Sequence, residues 1–134
     1  MKKTIYNPET IGPPVGHFDR AVQFDNWLFV SGTSAMTGLS GPMNERRLEP
    51  GIERQTQLTL DNIEKVLHAA GGSLSDIYEM RIIVKEREHF PVVDRQLRER
   101  IPNRGYIAHG YKGELLHPEM ELEIEVYAYL GELE

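Results

Sequence analysis

The residues best placed to do chemistry lie near the end of the chain. From Met120 to Tyr129 the order is Met-Glu-Leu-Glu-Ile-Glu-Val-Tyr-Ala-Tyr, a strict alternation. Strand side chains point to opposite faces at period two, so Glu121, Glu123, Glu125, Tyr127 and Tyr129 share one face. Met120, Leu122, Ile124, Val126 and Ala128 share the other. Three carboxylates on one face need water or cations: the face is either a solvated edge or the lining of a polar cleft served by a cation from elsewhere. Arg104, in Ile101-Pro-Asn-Arg-Gly-Tyr106 at the start of another strand, is the candidate cation. Its planar fork fits a carboxylate through two parallel N–H bonds. Glu123 is the candidate general acid and base; Glu121 and Glu125 would raise its pKa and Arg104 would lower it. The bland account is an ion-pair network in which Arg104 merely neutralises the glutamates. A catalytic reading puts Arg104 and Glu123 on neighbouring strands, opening into one crevice.

Other chemistries find less support. His17, His68, His89, His109 and His117 show no close ligand spacing, so no metal site is expected. Ser31, Thr33 and Ser34 have no evident base partner, and the chain has no cysteine, which excludes disulfides and thiol catalysis. Fifteen basic against 21 acidic residues give a net charge of −6, with no basic stripe to draw nucleic acid. No apolar run is long enough for a signal peptide or membrane span, so a cytoplasmic protein without membrane partners is expected. The 134 residues suit a single domain, 1–134.

These groups must be positioned by few elements. Lys3 to Tyr6 reads as a short edge strand, and Ile11 to His17 is too rich in Pro and Gly for regular structure. Ala21–Phe24 and Trp27–Ser31 flank Asp25-Asn26 as a hairpin. Gly32, at the end of that second strand, signals a bulge or a close backbone approach, including approach to a ligand. Met36 to Pro50 reads as a long loop. Gly51 to Ala70 is a helix, its stripe Ile52, Thr56, Leu60, Ile63, Leu67 and Ala70 at helical spacing, with Gly71-Gly72 as its stop. Ile77 to Lys85 follows as a strand, with Tyr78, Met80, Ile82 and Val84 on one face and Glu79, Arg81 and Ile83 on the other. Phe90, Val93, Leu97 and Ile101 mark a shorter helix, with Pro91 in its first turn. Tyr106–Tyr111 and Glu121–Leu130 are the last strands.

The order is β-β-β-α-β-α-β-β, an α+β chain with both helices on one face of a mixed sheet. The other face would carry Glu79, Arg81, Ile83, Glu123 and Tyr127, with Trp27 or Phe29. That mixture of aromatic and charged groups suits a subunit interface. An oligomer with a polar cleft where subunits meet is therefore expected.

Five motifs in order resemble those of the Rid family, the reactive intermediate deaminases, also called YjgF-type proteins or L-PSP endoribonucleases. Gly16-His-Phe-Asp-Arg-Ala-Val22 is similar to the family's Gly-Pro-Tyr-Ser-Gln-Ala-Val, and Leu28-Phe-Val-Ser-Gly32 to its Ser-Gly strand end. Gln55-Thr-Gln-Leu-Thr-Leu-Asp-Asn-Ile63 with Ala69-Ala-Gly71 resembles its long helix. Pro102-Asn-Arg104 resembles Pro-Ala-Arg, and Leu122-Glu-Ile-Glu-Val-Tyr-Ala128 resembles Ile-Glu-Ile-Glu-Ala-Ile-Ala. The resemblance implies a chorismate-mutase-like homotrimer with clefts between subunits and no metal or cofactor. It implies hydrolysis of an imine or enamine, such as 2-aminoacrylate or 2-aminomuconate, to a keto acid and ammonia. Arg104 would hold the substrate carboxylate, Glu123 would position or activate water, and Gly32 would meet the substrate with its backbone. Phe18 stands for the family's tyrosine, Asp94 for a common asparagine and Tyr106 for a small Cys, Ser or Thr. The second helix is also several residues short. The three substituted positions are candidate substrate-binding residues, and Phe18 and Tyr106 with the short helix leave open a protein that binds keto acids without turnover. Ser31-Gly-Thr-Ser34 and Leu116-His-Pro118 resemble the aminomuconate deaminase branch.

Overall fold

Alternating hydrophobicity sets the sheet. In the computed structural model, which describes all 134 residues, six strands form one mixed sheet: β1 Lys3–Tyr6, β2 Ala21–Phe24, β3 Trp27–Val30, β4 Ile77–Val84, β5 Ile107–Lys112 and β6 Leu122–Tyr129. Their spatial order is β1-β2-β3-β6-β4-β5; the β4–β5 pair is parallel and the other pairs are antiparallel. Helices α1 (Ile52–Ala69) and α2 (Phe90–Arg100) cover one face. Leu28, Val30, Met80, Ile82, Val84, Leu122, Ile124, Val126 and Ala128 are buried on that face against Leu60, Ile63, Val66, Leu67, Val93 and Leu97 of the helices. No helix is long and apolar enough to cross a membrane.

The helix α1 ends where its carbonyls can still be satisfied. Gly71 takes φ 82°; its N–H reaches His68 O at 3.0 Å, and the Gly72 N–H reaches Leu67 O at 2.8 Å. That is the paired closure a left-handed glycine permits. Two polar residues buried on α1 then position the loops beside the sheet. Gln55 donates to Glu49 O and Glu119 O and accepts from the Glu121 N–H, which fixes the start of β6. Asn62 donates to Ser34 O at 2.9 Å and so fixes the chain just beyond Gly32.

Three elements depart from the sequence reading. A register irregularity between Ile77 and Glu79 turns Tyr78 onto the uncovered face, where its ring meets Trp27 and Tyr127; strict alternation had placed it with Met80. Phe90 is exposed at the start of α2. The 36–50 segment is not a featureless loop. It contains 3-10 turns at Ala35–Gly38 and Met43–Glu45 and is braced by two buried guanidinium groups. Arg46 donates to Gly41 O, Met36 O and Pro13 O, while Arg20 donates to Gly12 O and Pro13 O. Burial, and for Arg20 the nearby Arg46 charge, lowers the pKa of both, that of Arg20 to about 10. These carbonyl cradles are what give the Pro- and Gly-rich 11–16 segment its fixed path.

Candidate active site

Gly32 and Glu123 meet at a strand defect. The β3–β6 ladder pairs Phe29 with Tyr127, and the next bridge pairs Thr33 with Ile124. Four residues on one side thus oppose three on the other, so an extra residue is accommodated at Ser31–Gly32. Thr33 N–H and C=O both bond Ile124, at 2.8 Å each, which clamps the defect from its far side. The Glu123 side chain lies across Gly32: a Cβ at Gly32 would stand 2.7 Å from Glu123 Cδ. Both sequence explanations of this glycine, bulge and close approach, hold together, and the close approach is by the glutamate. Phe18 belongs to the same corner. It is 47 % exposed, and the next residue, Asp19, accepts the Ser31 hydroxyl through its carbonyl at 2.6 Å.

The three glutamates of β6 have distinct environments. Glu121 lies 3.5 Å from His89 Nδ1. Glu125 accepts from the Tyr127 hydroxyl and lies 3.4 Å from Arg81, which also pairs with Glu79 at 2.9 Å. Glu123 forms neither an ion pair nor a side-chain hydrogen bond within the chain. Burial, followed by the neighbouring Glu125 charge, raises its pKa above the usual carboxylate range. The lowering by Arg104 that the sequence allowed is not among the causes.

Arg104 is elsewhere. It sits in the turn before β5 with φ 58°, next to Gly105 at 95°, and its guanidinium has no partner within the chain. Asp94, Arg98, Ile101, Pro102, Arg104 and Tyr106 line a recess of about 480 Å³ between α2 and this turn. Tyr106 is half-buried against the core. Its pKa is raised by burial and by Asp94, and drawn down by Arg104, so its hydroxyl senses both charges. Arg98, which the sequence reading passed over, reaches Asp94 Oδ2 through Nη2 at 2.9 Å and Nε at 3.1 Å. The i, i+4 spacing of an acid and a base on one helix was the signal for it.

The expectation that Arg104 and Glu123 occupy neighbouring strands is therefore corrected. Strand β4 lies between β5 and β6. Ile107 stands level with Tyr127 through Glu79, four residues along β6 from Glu123. Strand rise and spacing put Ile107 and Glu123 about 16 Å apart, with Arg104 on the turn beyond Ile107. The account in which Arg104 neutralises the glutamate row fails for the same reason. Within one chain the six candidate residues form two groups: Phe18, Gly32 and Glu123 at one corner, Asp94, Arg104 and Tyr106 at another. The hydroxyls of Ser31, Thr33 and Ser34 are engaged with backbone groups.

Comparison with known proteins bears on this arrangement. The family model described as endoribonuclease L-PSP matches residues 10–130. A RutC family protein of Pyrococcus horikoshii is 26% identical over 129 residues, covering 96% of this chain and 98% of that protein. The 3-aminoacrylate deaminase RutC of Acinetobacter baylyi is 26% identical over 133 residues, covering 97% and 100%. Among solved structures, RidA of the Antarctic bacterium Psychrobacter sp. superposes with a TM-score of 0.83 at 21% identity, covering 94% of this chain and 98% of that one. TdcF of Escherichia coli, solved with bound serine, gives 0.82 at 19%, covering 96% and 99%. The family model spans most of the chain and the solved structures share its fold, and the chain belongs to the Rid (YjgF-type) family, that of the endoribonuclease L-PSP model.

Proposed function

We propose that the protein is an imine and enamine deaminase for a small carboxylate-bearing substrate. Its site is completed by two protomers of a homotrimer: Asp94, Arg104 and Tyr106 come from one, and Phe18, Gly32 and Glu123 from the next. The observation that carries this reading is that each half holds an unmet group, the unpaired Arg104 cation and the partnerless, half-buried Glu123, too far apart in one chain to serve each other. The uncovered sheet face supports association, since Ile5, Trp27, Phe29, Ile107 and Tyr111 are exposed on it. The relatives support the chemistry: one is named as a deaminase of 3-aminoacrylate, and a structural neighbour binds serine.

The reaction follows from these groups. Arg104 binds the substrate carboxylate through its fork and so orients the adjacent carbon–nitrogen double bond. Glu123, more basic than an exposed carboxylate, takes a proton from water as the water oxygen attacks the iminium carbon. The same carboxyl group returns that proton to nitrogen. With the second water proton also transferred, the carbon–nitrogen bond breaks and ammonium leaves a keto acid behind. An enamine joins this path once its carbon is protonated. No metal or cofactor is required by the scheme.

The test is ammonia release from enzymatically generated 2-aminoacrylate and 2-aminomuconate. Arg104→Ala and Glu123→Ala should each lower the rate by about a hundredfold or more. Wild-type protein no faster than either variant would overturn the enzymatic reading. Tight keto-acid binding in that case would favour a non-catalytic binding protein, a role that the missing hydroxyl at Phe18 also suits.

A further inference from the structure

Arg104 and Asp94 line one recess and form no ion pair with each other. Asp94 spends only one oxygen inside the chain: both Arg98 contacts go to Oδ2. The Arg98 side chain is 80 % exposed, so water screens that ion pair and it holds Asp94 only weakly. Asp94, Arg104 and Tyr106 line the same recess, so both charged groups border a common space. The recess therefore presents a cation and an anion at a separation that neither closes.

A ligand with a carboxylate and a protonated nitrogen matches that arrangement, and a keto acid does not. We propose that Asp94 is a specificity residue that accepts a hydrogen bond through Oδ1 from the protonated nitrogen of the substrate, so that the site selects zwitterionic iminium and amino acids over keto acids and over dicarboxylates. This rests on the deaminase reading of the Arg104 recess and deepens it. An amide at this position could accept the same hydrogen bond but would not favour the charged form. The carboxylate keeps the substrate nitrogen protonated, and the protonated iminium is the better electrophile for water. It also helps turnover, because the keto acid product lacks the group that Asp94 holds.

The experiment is calorimetric binding of serine, pyruvate and malonate to the wild-type protein and to Asp94→Asn, Arg98→Ala and Arg104→Ala. Serine should bind wild type about tenfold or more tightly than pyruvate, as expected for a hydrogen bond between charged groups. Asp94→Asn should lose about tenfold in serine affinity and leave pyruvate within about twofold, while Arg98→Ala, which unshields Asp94, should strengthen serine. Malonate should bind Asp94→Asn better than wild type. Equal changes for serine and pyruvate in Asp94→Asn, or none, would overturn the assignment. Arg104→Ala separates the two claims: loss of all three ligands keeps the recess as the substrate site, whereas unchanged binding would overturn the deaminase reading itself.

Discussion

The carboxyl group of Glu123 occupies the space where a side chain at residue 32 would be. A methyl group at Gly32 would lie 2.7 Å from Glu123 Cδ, and the glutamate would have to swing away. The obstructing atoms are the free end of a flexible side chain, so Gly32→Ala should cost about 1 kcal/mol of stability or less. If Glu123 is the base proposed above, its displacement should still lower kcat/KM by about ten- to a hundredfold. Thermal denaturation beside a rate assay tests the pair: a large fall in Tm, or an undiminished rate, would mean that the glycine serves only the bulge.

The raised pKa of Glu123 fixes two pH effects. A base must be ionised, so kcat/KM should rise through an acid limb that burial and Glu125 push up and that the Arg104 cation of the adjoining protomer pulls down. Glu125 is the second cause of the shift, after burial; Glu125→Gln should move that limb to lower pH. For stability the sign is the reverse of the common carboxylate case. The folded protein holds the Glu123 proton to higher pH than the unfolded chain does, so it binds more protons in that window and stability falls as pH rises through it. Glu123→Gln should therefore abolish activity yet raise Tm at pH 8, with no such gain at pH 4. Equal Tm differences at the two pH values would contradict the assignment.

Local patterns made most of the fold legible before any coordinates. The alternation of Leu122–Tyr129 and the stripe from Ile52 to Ala70 each encode a face, and Gly71 encodes a stop, all within a few residues of sequence. What stayed hidden depends on distant partners. Tyr78 changes face because β4 slips its register against β6, which only the pairing reveals. Nothing in the local sequence marks Arg20 and Arg46 as buried, since their partners are carbonyls brought together by the folding of three loops. The candidate residues of the site were legible as types, but their division into two groups was not. It follows from β4 lying between β5 and β6, and strand order is not written in periodicity.

The arginine cradles should be felt as stability. Removing the Arg46 side chain leaves the carbonyls of Gly41, Met36 and Pro13 without that donor. Pro13 O keeps its Arg20 donor and Met36 O its bond from the Leu39 N–H, so Gly41 O is the acceptor left unsatisfied, and Arg46→Ala should destabilise by about 1–2 kcal/mol. Lysine places a single ammonium where three divergent N–H groups are needed, and Arg46→Lys should recover less than half of the loss. Chemical denaturation measures both. A neutral Arg46→Ala would show that water replaces the guanidinium and that the 36–46 turn stands without it.

The proposed division of the site between chains makes a prediction that no single-chain site can meet. Arg104→Ala keeps a sound Glu123 corner, and Glu123→Ala keeps a sound Arg104 recess. Each variant alone should be nearly inactive. Denatured together in equal amounts and refolded, the two would assemble into mixed closed rings, in which an interface joining the Arg104 of one chain to the Glu123 of the next is intact. Random assembly into a cyclic trimer makes roughly a quarter of all interfaces of this kind, so activity should return to roughly a quarter of the wild-type value. Refolding either variant by itself is the control and should return nothing. If the mixture stays as inactive as its components while sedimentation shows mixed oligomers, the two groups do not share a site. If the wild-type protein is active while sedimenting as a monomer, the distance across β4 has been bridged within one chain, and the register given above could not stand.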